Sequence, residues 1–272
     1  MLRSKIKGIL VIFLVSFFFL PLFLSAQEPK TIRLNPPDQK RGLPVMQALS
    51  IRASATEWSE KELSLQDLSD LLWAANGINR PETGKRTASS AMNAQDVDIY
   101  LFMKDGVYLY DAKTHSLVQI VVGDHRSLLF PPRPPRPAQP GQPGQPGQPA
   151  QPPKPEQQAA TSPPAKPETP PPAPPQTPPS GPPGLPPQQS MAPVVLLLVS
   201  DISRFRAGTQ ELKLEWAAID TGIVSQNISI FCAAIELGTR PRASMDRDKL
   251  RSLLQLRDTQ YPLLNHPVGY KK

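Results

Sequence analysis

The residues best suited to chemistry lie in residues 86–100, RTASSAMNAQDVDIY, where small and amide side chains run into an alternating apolar strand. Ser89, Ser90 and Ala91 leave the backbone accessible. Asn93 and Gln95 carry carboxamides that donate and accept at once, which suits the edge of a flat heteroaromatic ring. A polar loop whose amides satisfy only local backbone has the same composition, so the surrounding chain must decide between the two.

Several chemistries are excluded early. His115, His125 and His266 are far apart and fit no metal-ligand spacing. Cys232 is the single cysteine, so an intrachain disulfide is impossible, and its apolar neighbours make it a core thiol rather than a nucleophile. Of the net charge of +7, +3 belongs to residues 1–26 and +2 to residues 131–190, leaving +2 on the rest. No clustered basic face with interleaved aromatics remains to suggest a nucleic-acid surface.

The elements that must position the amide-rich stretch can be read by period. A helix should begin at Pro44 and run through Met46, Leu49 and Ile51. Residues 64–77 read as a second helix, with Ser64 and Asp67 as a capping-box-like start, Leu65, Leu68, Leu71, Leu72 and Ala75 on one face, and Gly77 as a left-handed stop. Trp73 belongs to the core. From Val97 the period becomes two: Val97, Ile99, Leu101 and Met103 point one way, Asp98, Tyr100 and Phe102 the other, with a turn at Asp105-Gly106, a return over residues 107–110 and a third strand over 116–122. The run GDHR at 123–126 reads as a turn closing that meander. Residues 194–199 are apolar throughout, the mark of a strand buried on both faces. Residues 211–237 form a long helix, apolar nearly all round from Ile219 and ended by Gly238, which places it at a domain centre or in an interface. A last helix covers 246–256 and a last strand 261–270.

Two segments stand apart. Residues 1–26 have a basic start, a long apolar run and a Ser-Ala exit, which reads as a secretory signal, or as a membrane anchor if it is not cleaved. Residues 131–193 hold 27 of the 36 prolines, including QPGQPGQPGQP. Such a composition offers no core and predicts a disordered, polyproline-rich insertion over 131–192, dividing one domain into halves at 27–130 and 193–272.

LLWAANGINR at 71–80 followed by RTASSAMNAQ at 86–95 resembles the nitroreductase family of flavin enzymes, in the branch related to the azoline-oxidising, SagB-type dehydrogenases. Asp220, Gly222, Gln226 and Asn227 match the same family's DxG and QN pattern. The resemblance implies an α+β fold with a central mixed sheet flanked by helices and a long buried central helix. It also implies a homodimer that binds FMN non-covalently and passes hydride through flavin N5 to a small-molecule electron acceptor, with NAD(P)H as the usual donor. By position it assigns Arg52, Ser54 and Lys271 to the flavin phosphate, Ser90, Asn93 and Gln95 to the ribityl chain and ring edge, and Arg242 and Ala243 to the neighbourhood of N5. No side chain is implied as a general acid or nucleophile. The chain departs from the family at Thr56, where a second basic residue is usual, at Ser89 for Pro, at Ala243 for Gly, and in the Pro missing after Gly269-Tyr270. These departures frame the rival reading of a flavin fold that no longer catalyses. A further rival is an exported, periplasmic or secreted protein that presents its Pro-rich segment to a cell-envelope partner.

Overall fold

The alternation that starts at Val97 becomes the centre of the molecule. The computed structural model describes residues 30–130 and 191–272, so the expected signal and the insertion up to Ser190 lie outside the described residues. In chain order the elements are β1 (Thr31–Arg33), α1 (Val45–Ile51), α2 (Leu65–Asn76), β2 (Ile78–Arg80), β3 (Lys85–Arg86), β4 (Val97–Met103), β5 (Gly106–Asp111), β6 (Ser116–Val122), β7 (Val194–Asp201), α3 (Gln210–Ala234), β8 (Leu237–Thr239), α4 (Arg247–Leu253) and β9 (Gln260–Tyr270). Seven strands form one sheet in the order β1-β6-β5-β4-β7-β9-β8, and β2 pairs with β3 in a small ribbon. The strand pairings are antiparallel, and the parallel component is a single bridge between Ser54 and Thr239. Strands β4 and β7, on either side of the insertion, are direct neighbours, so the two halves of the chain share one sheet.

The sheet's two faces follow the period-two reading. Val97, Ile99 and Leu101 face a core built with Leu68, Leu71, Leu72 and Ala75 of α2 and Val224, Ile228 and Cys232 of α3. Tyr100 and Phe102 face the opposite core, with Leu129, Met245, Leu250 and Leu254. Every residue of β7 is buried, as its continuous apolar run requires. Cys232 is fully buried, and desolvation pushes its thiol pKa up, which keeps it inert.

Two glycines act differently from their sequence reading. Gly77 caps α2 with φ −76°, not in a left-handed turn. A Cβ there would lie 2.6 Å from the Trp73 side chain and 2.7 Å from its carbonyl oxygen, so closeness rather than dihedral freedom demands glycine. The long helix ends at Ala234 and the chain turns at Glu236, in the left-handed region at φ 63°, so Gly238 is already inside β8 opposite Gly269. Helix α3 is also less uniformly buried than its composition predicts. Its inner stripe runs through Ala217, Asp220, Thr221, Val224, Ser225, Ile228, Ser229, Cys232 and Ala233, while Ile219 is 53% exposed and Gly222 and Gln226 are exposed. Helix α1 buries only Ala48 and leaves Val45, Met46, Leu49 and Ile51 in the open.

The turn after β6 does bind locally. Asp124 pairs with Arg126, and the Arg126 guanidinium also donates to the carbonyls of Ala192 (3.0 Å) and Pro193 (3.3 Å), where the chain re-enters the described structure.

Candidate functional site

The sequence candidates fall into three places. The first is the outer edge of the sheet at β8. Ser54 bridges Thr239, the Ala55 amide donates to the Thr239 carbonyl (2.9 Å), and the Trp58 indole donates to the Gly238 carbonyl (2.9 Å). A Cβ on Gly238 would sit 2.9 Å from the Ala55 Cβ and 3.4 Å from the Lys271 Cγ. The missing side chain therefore lets the segment after α1 and the residue after β9 close on the same point. Arg52, which ends α1, and Ser54 and Lys271 are all exposed, and neither cation has a carboxylate partner among the described residues. A hydroxyl and a cation at one strand edge, with a second cation two residues before the hydroxyl in sequence, make a donor set of the kind that fits a phosphate.

The second place is the turn before β4. The Ser90 hydroxyl accepts from the Gln95 amide (2.9 Å), which leaves its proton available to a ligand. Met92, Asn93 and Gln95 all have positive φ, at 53°, 54° and 49°, three non-glycine residues in the left-handed region within four positions. Such a cluster persists only where its surroundings over-determine it. Here the surroundings are specific: both carboxylate oxygens of Asp220 accept the Ala91 amide (3.1 and 2.9 Å), and Arg204 donates to the Gln95 carbonyl (2.8 Å). Asn93 is exposed. Gln95 is held within the turn: its Nε2 donates to the Gly84 carbonyl (3.0 Å) and its Oε1 accepts from Arg86 Nε (3.0 Å). These bonds make Gln95 part of the turn's own framework, with one N–H and one lone pair left over.

The third place is the crossing after β8. Arg242 exchanges backbone bonds with Asn265 (2.9 and 2.7 Å), and its guanidinium lies 4.7 Å from the centre of the Phe130 ring. Ala243 is exposed, and its carbonyl accepts from Arg247 (3.1 Å). Asn265 Oδ1 is buried beside this segment without a partner among the described residues.

Register fixes how these places relate. At one end of β9, Tyr270 pairs with Leu237 of β8; at the other, Gln260 pairs with Asp201, whose amide donates to the Asp96 carbonyl beside the strained turn. Ten residues of strand are about 33 Å long. The Ser54–Lys271 edge and the Ser90–Asn93 turn thus lie at opposite ends of one protomer's sheet, and Arg242 stands between them opposite Asn265.

What sequence reading missed is Asp96 and Asp220 as neighbours. Asp220 was legible as part of a pattern, but its partner lies 124 positions away. An acidic residue directly before an apolar strand was the available signal.

The comparisons agree with this architecture. The family model described as the nitroreductase family matches residues 51–270. A curated protein of Methanocaldococcus jannaschii bearing the nitroreductase name is 23% identical over 229 residues, covering 81% of this chain and 87% of the relative. A crystal structure of a protein from Ralstonia eutropha, also named as a nitroreductase, superposes with a TM-score of 0.65 at 25% identity, covering 89% of this chain and 90% of that one. The Escherichia coli microcin synthetase McbBCD complex, solved with truncated pro-MccB17 bound, has a chain of the same fold (TM-score 0.55, 14% identity, covering 99% of this chain and 85% of that one). The chain belongs to the nitroreductase family and has its fold.

Proposed function

We propose that this oxidoreductase-family chain is an FMN-dependent enzyme of the exported compartment, working as a homodimer. The observation that supports it best is the convergence of Ser54 and Lys271 on the β8 edge at Gly238, with Arg52 two residues before Ser54 at the end of α1. In this reading those three residues hold the FMN phosphate, and the exposed Ala243 segment lies toward the reactive edge of the ring. From Asn265, opposite Arg242, to Tyr270 is five residues of β9, about 16 Å. That is the length scale of one flavin mononucleotide. The turn at Ser90–Asn93 lies toward the other end of β9, about 33 Å of strand in all, so in this reading a second copy supplies that turn.

Apolar surface supports the dimer. Met46 (73% exposed), Val45, Leu49 and Ile51 of α1 lie in the open, as do Ile219 of α3 and Met92 of the strained turn. Exposed apolar area of this extent on consecutive turns of one helix marks an interaction face. When bound, FMN supplies hydride transfer through N5, from reduced pyridine nucleotide to a small-molecule acceptor. The chain's own part is to anchor, orient and exclude water. The export and the SagB-type kinship rest on residues 1–26 and on the 71–95 motifs, respectively.

The test is Arg52→Ala, which keeps the fold and loses bound flavin. A charge-assisted bond of this kind is worth about 1.5–3 kcal/mol, roughly ten- to a hundred-fold in affinity. Unchanged flavin content and affinity would remove Arg52 from the site.

A further inference from the structure

Asp96 is fully buried and Asp220 is 3% exposed. Asp96 Oδ2 accepts from the Ser200 hydroxyl (2.5 Å), whereas Oδ1 is buried with no hydrogen-bond partner among the described residues, and the Asp220 carboxyl lines the same small hollow. The hollow between them, lined by Ser89, Ser90, Gln95 and Asn76, is about 10 Å³. That is room for one water at most, far less than two ionised carboxylates need for hydration. The charged groups around the pair are already committed. Arg204, after β7, donates to the Gln95 carbonyl and pairs with Asp98 (2.5 Å) and Asp201 (3.6 Å), and Asp201 also pairs with Arg257 (2.5 Å). Arg86 of β3 donates to Gln95 and the Asn76 carbonyl.

We propose that Asp96 holds a proton on Oδ1 and shares it with Asp220, and that this pair is the positioning device for the strained turn carrying Ser90 and Asn93. Two links are formed bonds, Ser200 to Asp96 and the Ala91 amide to both oxygens of Asp220, and the shared proton is the link between the two carboxyls. The turn's three left-handed residues follow immediately after that anchored amide. Burial, and the Asp220 charge beside it, raise the Asp96 pKa to about 7 despite the Ser200 bond.

The sign of the pH effect follows from proton counting. The closed turn keeps the proton up to about pH 7, whereas an opened turn, with Asp96 in water, loses it near the ordinary value of 3.8. Opening therefore releases a proton between these limits. Its equilibrium constant rises about ten-fold per pH unit from roughly pH 4 to 7 and is level above. The turn is tightest in mild acid.

The functional purpose of the device rests on the flavin reading; the device itself does not. The experiment is amide hydrogen exchange of the full chain, without added flavin, at several pH values from 5 to 8, corrected for intrinsic rates. The expected result is that protection of Ala91 and its following turn falls about ten-fold per pH unit to pH 7 and is then level. Asp96→Asn, which keeps a donor toward Asp220 but carries no titrating proton, should give a flat, protected profile. Asp220→Asn, which offers one acceptor in place of two, should weaken protection and also flatten it. A wild-type profile with no slope, or an Asp96→Asn profile parallel to it, overturns the proposal. FMN titration at the same pH values separates the two readings: an exchange slope as expected in a protein that takes up no FMN upholds the proton-sharing pair and refutes the cofactor assignment.

Discussion

Replacing Gly238 by alanine tests how the candidate phosphate edge is built. The new methyl would meet the Ala55 Cβ at 2.9 Å, while the Lys271 Cγ and Trp58 Nε1 both lie at 3.4 Å. Carbon atoms prefer about 3.5–4.0 Å, so Ala55 must retreat by roughly half an ångström or more. It cannot do so alone, because its amide donates to Thr239 (2.9 Å) and Trp58 donates to Gly238 itself (2.9 Å). The strain therefore spreads along the segment from Ser54 to Trp58. Overpacking of this kind costs about 1–3 kcal/mol. Urea unfolding should show that loss, Trp58 fluorescence should shift as its indole bond lengthens, and FMN affinity should fall because Ser54 moves relative to Lys271. Wild-type stability with unchanged Trp58 emission would refute the packing argument. Lost stability with unchanged FMN affinity would refute the phosphate placement alone.

Other consequences are as direct. Arg126→Ala removes the bonds to the Ala192 and Pro193 carbonyls, so exchange of the neighbouring amides should quicken and stability fall by about 1–3 kcal/mol; unchanged exchange there would show the guanidinium to be incidental. His266 is buried between Thr239 and Ser225, and desolvation lowers its pKa to about 3. The unfolded chain binds that proton below about pH 6.5 and the folded chain does not, so this histidine's contribution is full at neutral pH and is lost as pH falls from about 6.5 to 3, on the order of 5 kcal/mol in all. His266→Gln should remove that acid loss from urea titrations, and an acid limb identical to wild type would contradict it. Because Asp96 acts with the opposite sign between about pH 4 and 7, the two partly cancel in the wild type and each single variant should reveal the other. Replacing residues 131–190 by a short Gly/Ser bridge should leave thermal stability equal or slightly higher, since shortening a loop lowers its closure cost by only about 2 kcal/mol; aggregation or loss of FMN in the shortened chain would show that the segment packs on the domain.

The sheet was legible because its information is local. Alternation over residues 97–103 assigned each side chain to its face, and the unbroken apolar run at 194–199 declared a strand covered on both sides. Helix α2 was legible for the same reason, with Ser64 accepting from the Asp67 amide as its spacing suggested. The glycines were misread because a sequence does not say why a position must lack a side chain. At Gly77 the cause is Trp73, four residues earlier, and at Gly238 it is Ala55, 183 residues away. The bonds of Gln95 to Arg86 and Gly84 were not legible, since a free carboxamide and a bonded one look identical in one dimension. The separation of the candidate residues into opposite ends of the sheet appears only with the register of β9. It is also the feature for which the proposed site calls on a second copy of the chain.

The most direct measurement is the absorbance spectrum of the purified protein after gel filtration, taken before and after adding reduced pyridine nucleotide. The account predicts a dimer that carries flavin absorbance, close to one FMN per protomer, and that bleaches when the nucleotide is added. A colourless protein that takes up no FMN on reconstitution, or a monomer that binds it at full occupancy, would contradict it.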